Sequence, residues 1–301
     1  MPYKDIPDYD TFVHIEPIYK GWSNDKKYYI QTLTGEKLLL RVSDITEFKR
    51  REYEYAILCE LAKKDLPIPI PKDFGICNKA QNVYMLLSWI EGEDAEKIIP
   101  TLPIQKQYEL GVEAGRIHKY IHTLSVPPTQ ENWDVYFNKK INSKVEGYKN
   151  THIYLEGEEK IFNYIQEHRH LLSNRIQTVQ HGDYHIGNMI MTPHGKLSII
   201  DFNRLDFGDP WEEFNRIVWC ASCSEYFASG RIHGYFNGDV PYLFWQLLAL
   251  YISSNTLSSI YWAIPFGKSK LDAMIKQFYD VLDWYEQMSN PIPKWYKSSC
   301  L

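Results

Sequence analysis

The feature that most constrains this chain is a change of hydrophobic period near residue 90. Between residues 11 and 90 the segments FVHIEPIY, KYYIQTL and KLLLRV are alternating or rich in β-branched and aromatic residues, with a turn at Thr34-Gly35. They predict antiparallel strands. In DITEFKRREYEYAILCELAKK, Ile45, Phe48, Tyr55, Leu58 and Leu61 recur about one turn apart and LPIPIP stops the run, which predicts a single amphipathic helix. KDFGIC and VYMLLSWI add two strands before EGEDAE turns the composition polar and acidic. Residues 104 to 124 then keep a helical period, helical stretches run to about residue 173, and long helices resume from 211, 241 and 268. Short strands are predicted at 178–181, 188–192 and 196–200. Strands first and helices after define an α+β chain. Its expected form is two lobes: a small antiparallel-sheet N-lobe over residues 1–90 and a larger, mainly helical C-lobe over 91–301. A length of 301 residues exceeds what one core usually supports.

A formal charge of −5 gives no basic footprint, so nucleic acid is not an expected partner. The odd number of scattered cysteines, five in all, argues for reduced thiols rather than a disulfide framework. Cys220 and Cys223 form a C-x-x-C, but WCASCSEY follows an apolar run at helical spacing and reads as a half-buried helix face. The start MPYKDIPDYD lacks a signal-peptide pattern and the longest apolar stretch, YLFWQLLALYISS, contains Gln246, so a soluble, cytoplasmic protein without a membrane span is expected.

The chemistry concentrates in HGDYHIGNMIMTPHGKLSIIDFNRLDFGDP, residues 181 to 210. Asp183 begins a loop that reaches Asn188 five residues later, the interval of a protein-kinase catalytic loop, and Asp201 ends the apolar KLSII strand. A carboxylate to take a proton from an attacking hydroxyl, with hard oxygens for Mg²⁺, is what phosphoryl transfer needs. Groups for a triphosphate are expected in the first lobe. GWSND offers Gly21, Ser23 and Asn24 for backbone approach to phosphate, Arg41 ends KLLLR where a kinase-type strand carries a phosphate-contacting Lys, and Glu52 in the following helix is placed to pair with it.

HGDYHIGN and IIDFNRLDFGDPWEEF, with GWSND and REYEYAILCEL before them, make the chain resemble the aminoglycoside phosphotransferase family, relatives of choline kinases and protein kinases. The resemblance implies a protein-kinase-like two-lobe fold, Asp183 as catalytic base, Asn188 and Asp201 as Mg²⁺ ligands, Glu52 as partner of the strand cation, and Ser88, Trp89 and Ile90 as the nucleotide-base hinge. It implies an ATP- or GTP-dependent O-kinase for a small molecule, with an aminoglycoside as the expected acceptor. Choline, homoserine, a macrolide or a peptide antibiotic is the alternative acceptor, and a catalytically silent nucleotide-binding module the alternative class. Arg41 departs from the family's usual Lys, keeping the charge while changing its geometry.

The remaining candidates carry two readings each. His181 and His185 flank Asp183 in an H-x-D-x-H that invites zinc, but that leaves Asn188 and Asp201 unexplained. His118 and His122, at i and i+4 on one helix face, form either half a metal site or buried packing. Asp209, Glu212 and Glu213 form either the acidic first turn of a helix or, with Asp206, the wall of a site for a cationic acceptor.

Overall fold

The structure is a computed structural model that describes residues 3–19, 25–126 and 130–298. The chain divides into two compact units, Met1–Ala95 with Asn188–Arg204 and Glu96–Gly187 with Leu205–Leu301.

The first unit is built on β1 (Phe12–Ile18), β2 (Lys26–Thr32), β3 (Lys37–Asp44), β4 (Pro71–Cys77) and β5 (Asn82–Ser88), in the order β1-β2-β3-β5-β4. Every pairing is antiparallel. One sheet face buries Ile30, Leu38, Leu40, Val42, Tyr84 and Leu86 with Tyr3 and Ile6. The helix expected between β3 and β4 is α1 (Phe48–Ala62), which buries Ile57, Leu58 and Leu61 together with Arg51 and Glu54. Ile45, expected on its apolar face, lies in a 3-10 turn before it, where Asp44 accepts a hydrogen bond from Thr46 N. A second, three-stranded sheet joins β6 (Glu93–Asp94) to the hairpin of β8 (Met189–Met191) and β9 (Leu197–Ile199). Gly92, at φ +146°, is needed for that contact, since a Cβ there would stand 2.2 Å from Met191 O. Ile199 N donates to Pro67 O (2.8 Å), which ties the hairpin to this unit.

The second unit contains α2 (Ala95–Ile98), α3 (Ile104–Ile121), α4 (Trp133–Lys149), α5 (Glu158–His168), the strand pair β7 (Thr178–Gln180) and β10 (Asp206–Gly208), then α6 (Ile217–Cys223), α7 (Glu225–Phe236), α8 (Tyr242–Ala263) and α9 (Lys268–Trp284). The chain between 211 and 216 is a 3-10 turn rather than the start of a long helix, and Ser224 breaks the helix expected there by capping α7 through Phe227 N (3.0 Å). The middle of α8, Leu247 to Ile252, is buried on every side, as a helix apolar all round must be. Helices α3 and α7 meet backbone to backbone: a Cβ on Gly111, Gly115, Gly230 or Gly234 would lie 2.1 to 2.3 Å from a carbonyl oxygen of the facing helix. That approach brings His118 of α3 and Arg231 of α7 within hydrogen-bond reach.

Candidate active site

Strand alternation sends Leu38, Leu40 and Val42 into the core and turns Arg41 and Ser43 to the other face, where they meet Arg51 and Glu54 of α1. Asp25, just before β2, completes a closed ion network. Arg41 Nη2 lies 2.8 Å from Asp25 Oδ2, Arg51 Nη1 lies 2.8 Å from Glu54 Oε2, Arg51 Nη2 lies 3.0 Å from Asp25, and Arg41 Nη1 donates to Glu54 Oε1. Ser43 Oγ donates to Asp25 Oδ1 at 2.7 Å. Burial pushes the Asp25 carboxyl up, but Arg41, Ser43 and Arg51 outweigh it and hold its pKa below the ordinary carboxylate value.

The helix partner of Arg41 is therefore Glu54, and the expectation of Glu52 is corrected. Two residues along a helix rotate a side chain by about 200°, so Glu52 faces solvent when Glu54 shares the buried face with Leu58 and Leu61. Arg41 is 4% exposed and both ends of its fork are held by carboxylates. The cation that faces the predicted metal ligand is instead Lys27, the cross-strand partner of Arg41 in β2. Its Nζ lies 3.7 Å from Asp201 Oδ2. Asp201 has a left-handed backbone (φ +68°), rare for a non-glycine residue and frequent where function holds strain. Asn188, half-buried at the start of the same hairpin, accepts from Ile200 N through its carbonyl (3.0 Å). Asn188 and Asp201 are neutral and anionic oxygen donors, the chemistry Mg²⁺ prefers.

At the end of β5, Ser88 N and Trp89 N donate to Ile70 O (2.8 Å) and Lys37 O (3.0 Å), and the Trp89 ring stands edge-on to Tyr29, 5.0 Å between centroids. Ile90 follows, half-buried. Gly21, Ser23 and Asn24 lie outside the described residues.

In the second unit, the loop carrying Asp183 is fixed by a buried carboxylate. Glu213 Oε2 accepts from His181 N (3.1 Å), His118 Nε2 (2.9 Å) and His122 Nε2 (2.9 Å), and Glu213 Oε1 accepts from Gly182 N. Arg231 Nη2 donates to His118 Nδ1 (3.2 Å) and Tyr235 Oη meets His122 Nδ1 (2.9 Å). An arginine has no acceptor to offer, so His118 Nδ1 is a lone pair and Nε2 carries the proton. The cluster His118–His122–Glu213, whose ligand atoms lie within 4.8 Å of one another, is thus a hydrogen-bonded anchor, and Nε2 of His118 points a proton where a metal would need a lone pair. Burial, with His122 beside it, keeps the His118 imidazole neutral far below its ordinary pKa. Burial alone would raise Glu213, but the two imidazole donors reverse it and hold the carboxyl well below its usual value. Tyr184 stacks on His118 at 4.1 Å and donates to Ala114 O (2.7 Å), packing the loop from below. Asp183 itself is partly exposed, with Oδ1 3.4 Å from Arg216 Nε and 3.6 Å from His185 Nε2, and its backbone N donates to His181 Nδ1 (3.2 Å). His181 and His185 thus shape the loop.

The acidic wall expected for a cationic acceptor is corrected in two positions. Asp209 is fully buried, accepting from Arg175 Nε (2.6 Å) and Nη2 (3.0 Å), Tyr251 Oη (2.6 Å) and Trp211 N (2.9 Å). Glu213 is the loop anchor. Both are buried and committed to protein donors rather than turned to a cleft wall. Asp206 is exposed, and Glu212, 8% exposed, lies 3.9 Å from Lys140 Nζ. Sequence reasoning missed Asp25, Lys27, Glu54 and Arg216. For Glu54 the signal was present, because it continues the i, i+4, i+7 stripe to Leu58 and Leu61.

An antiparallel sheet with one packed helix, followed by a helical unit that carries an HGD loop, defines a kinase-like α+β fold. A family model, the phosphotransferase enzyme family, matches residues 14–245, and the chain belongs to that family. Solved structures agree in fold. A GDP complex of aminoglycoside 2'-phosphotransferase-IIIa superposes with a TM-score of 0.68 at 13% identity, over 92% of this chain and 95% of that one. A choline/ethanolamine kinase family protein from Mesorhizobium loti gives 0.66 at 14%, over 96% and 95%. An amicoumacin kinase in complex with AMP-PNP, Ca²⁺ and its ligand gives 0.63 at 14%, over 96% and 93%. No curated protein matches the chain in sequence. Among the described residues no helix is long and apolar enough to cross a membrane.

Proposed function

We propose that this phosphotransferase moves the γ-phosphoryl group of ATP or GTP to a hydroxyl of a small molecule. The observation that carries the reading is Asp201, held in a left-handed backbone with its carboxylate 3.7 Å from Lys27, in the hairpin that follows the Asp183 loop. Asp183 accepts the hydroxyl proton, with Arg216 and His185 flanking its Oδ1 to fix the carboxylate's direction. Asn188 and Asp201 are the residues that would hold Mg²⁺, which when bound neutralises phosphate charge. Lys27, rather than Arg41, is the phosphate-facing cation, because Arg41 is committed to Asp25 and Glu54. The sheet unit, Met1–Ala95 with Asn188–Arg204, serves the nucleotide, with Ser88, Trp89 and Ile90 as base hinge, and the helical unit serves the acceptor. Aminoglycosides are one class of acceptor, favoured by the names of several structural neighbours and disfavoured by the burial of Asp209 and Glu213.

The test is release of ADP and GDP in a coupled assay across aminoglycosides and small hydroxyl metabolites, with chelator controls. Turnover is expected to need Mg²⁺ or Mn²⁺, and Asp183→Asn to lower kcat at least about 100-fold with nucleotide affinity retained. Lys27→Met is expected to weaken nucleotide binding in a folded protein, whereas Arg41→Met lowers stability. Zinc-dependent hydrolysis without nucleotide, or full turnover by Asp183→Asn, would overturn the reading.

A further inference from the structure

The helical unit contains a lysine placed where burial and charge conflict. Helix α4 buries Trp133, Phe137, Ile141 and Tyr148, and Lys144 stands in the same stripe. It is 8% exposed, with Nζ 5.6 Å from the Phe137 ring centre, and among the described residues it has no hydrogen bond or ion pair. An unpaired ammonium at that depth costs free energy unless something else neutralises it.

Its charged surroundings do not do so. Lys140, one turn back on α4, lies 3.9 Å from Glu212 Oε1, so that carboxylate already has a cation. Arg216, in the turn before α6, lies 3.4 Å from Asp183 Oδ1. Burial, then repulsion from Lys140 and Arg216, outweighs the attraction of Glu212 and pulls the Lys144 ammonium down to about 7. Asp206 adds its attraction to Lys140 and Asp183 pairs with Arg216, so of these three cations Lys144 alone has no carboxylate within ion-pair distance among the described residues, and Arg216 connects the cluster directly to Asp183.

We propose that the acceptor carries an oxyanion, a carboxylate or a phosphate, besides its hydroxyl, and that Lys144, with Lys140 and Arg216, binds that oxyanion while Asp183 receives the hydroxyl. This rests on the phosphotransferase reading and narrows its acceptor. A polycation at the same place would meet Lys144 and Arg216 as like charges, which costs association and selects against it. An oxyanion supplies the counter-charge that the buried ammonium lacks, and two anchored points fix the hydroxyl's direction before reaction.

The test uses matched alcohols: hydroxy acids against their amides, phosphorylated polyols against the free polyols, then choline and kanamycin-type compounds, each read by nucleoside diphosphate release. The best acceptor is expected to bear an oxyanion, and Lys144→Met to raise its KM by about tenfold or more while changing kcat less. A neutral or polycationic compound outperforming every oxyanion-bearing alcohol overturns the proposal and leaves the kinase reading standing. A second measurement needs no turnover. With saturating nucleoside diphosphate, inorganic phosphate is expected to raise the Tm of the wild type and not of Lys144→Met, and Lys144→Met without ligand is expected to melt above the wild type because an unpaired buried charge is gone. A Lys144→Met protein less stable than the wild type, or a phosphate shift equal in both, shows that Lys144 is a structural residue. Failure of nucleotide to bind at all would count against the kinase reading instead.

Discussion

Replacing Glu213 by Gln keeps the shape of the loop anchor and removes its charge. The groups around it are all donors: His118 Nε2, His122 Nε2 and His181 N on one oxygen, Gly182 N on the other. A glutamine amide has one oxygen and one NH₂. With the oxygen turned to the imidazoles, the Gly182 N–H faces an N–H; with the amide reversed, three donors face it. The first orientation is the cheaper. It weakens three charge-assisted bonds by about 1 kcal/mol each and leaves one buried amide without an acceptor, at about 1–3 kcal/mol. The sum, roughly 4–6 kcal/mol, overlaps the upper part of the range of about 3–5 kcal/mol for breaking a buried ion pair from one side. Glu213 is 2% exposed, so solvent screens little of this. Urea unfolding should show the loss directly, and a melt should shift by roughly 8–24 °C at about 2–4 °C per kcal/mol. In folded protein, kcat should fall further than nucleotide affinity, because the loop that loses its anchor carries Asp183. A Gln variant within about 1 kcal/mol of the wild type would refute the all-donor reading and mean that one imidazole turns a lone pair to position 213.

Burial holds His118 and His233 below the ordinary histidine value of 6.5, so the unfolded chain binds more protons there and stability is complete above about 6.5 and declines as pH falls. Glu213, held well below 4.5, adds a second loss in the same direction below that value, and a urea series from pH 8 to 4 that rose on acidification would contradict both. Glu54→Gln should cost about 3–5 kcal/mol and Glu52→Gln less than about 0.5 kcal/mol by the same assay; equal effects would restore Glu52 to the network. Gly115→Ala and Gly234→Ala, which each place a Cβ 2.1 Å from a facing carbonyl oxygen, should destabilise by roughly 1–3 kcal/mol. Stabilisation of either variant, as helix propensity alone would give, would show that α3 and α7 are further apart than described.

What the sequence determined by itself was whatever depends on local period and on spacing along the chain. The strands of the first unit, α1 and the short strands near 178, 189 and 197 follow from alternation and helical recurrence. The HGD loop, with Asn188 five residues on and Asp201 at a strand end, is a covalent spacing and was legible as it stood. Only the tertiary structure decided which charge faces which. Glu52 and Glu54 are equally acidic in sequence, and the rotation of α1 against β3 selects Glu54. Lys27 and Arg41 are equally cationic, and the register of β2 on β3 sets them side by side, Arg41 with Asp25 and Glu54, Lys27 with Asp201. The run GDPWEEF reads as a single acidic patch, yet Asp209 and Glu213 turn inward to partners drawn from α3, α8 and the loops at 175 and 181. A carboxylate's role depends on whether it stays in water, and burial is a property of elements that meet across the fold, such as α3 and α7 at their glycines, rather than of any stretch of chain.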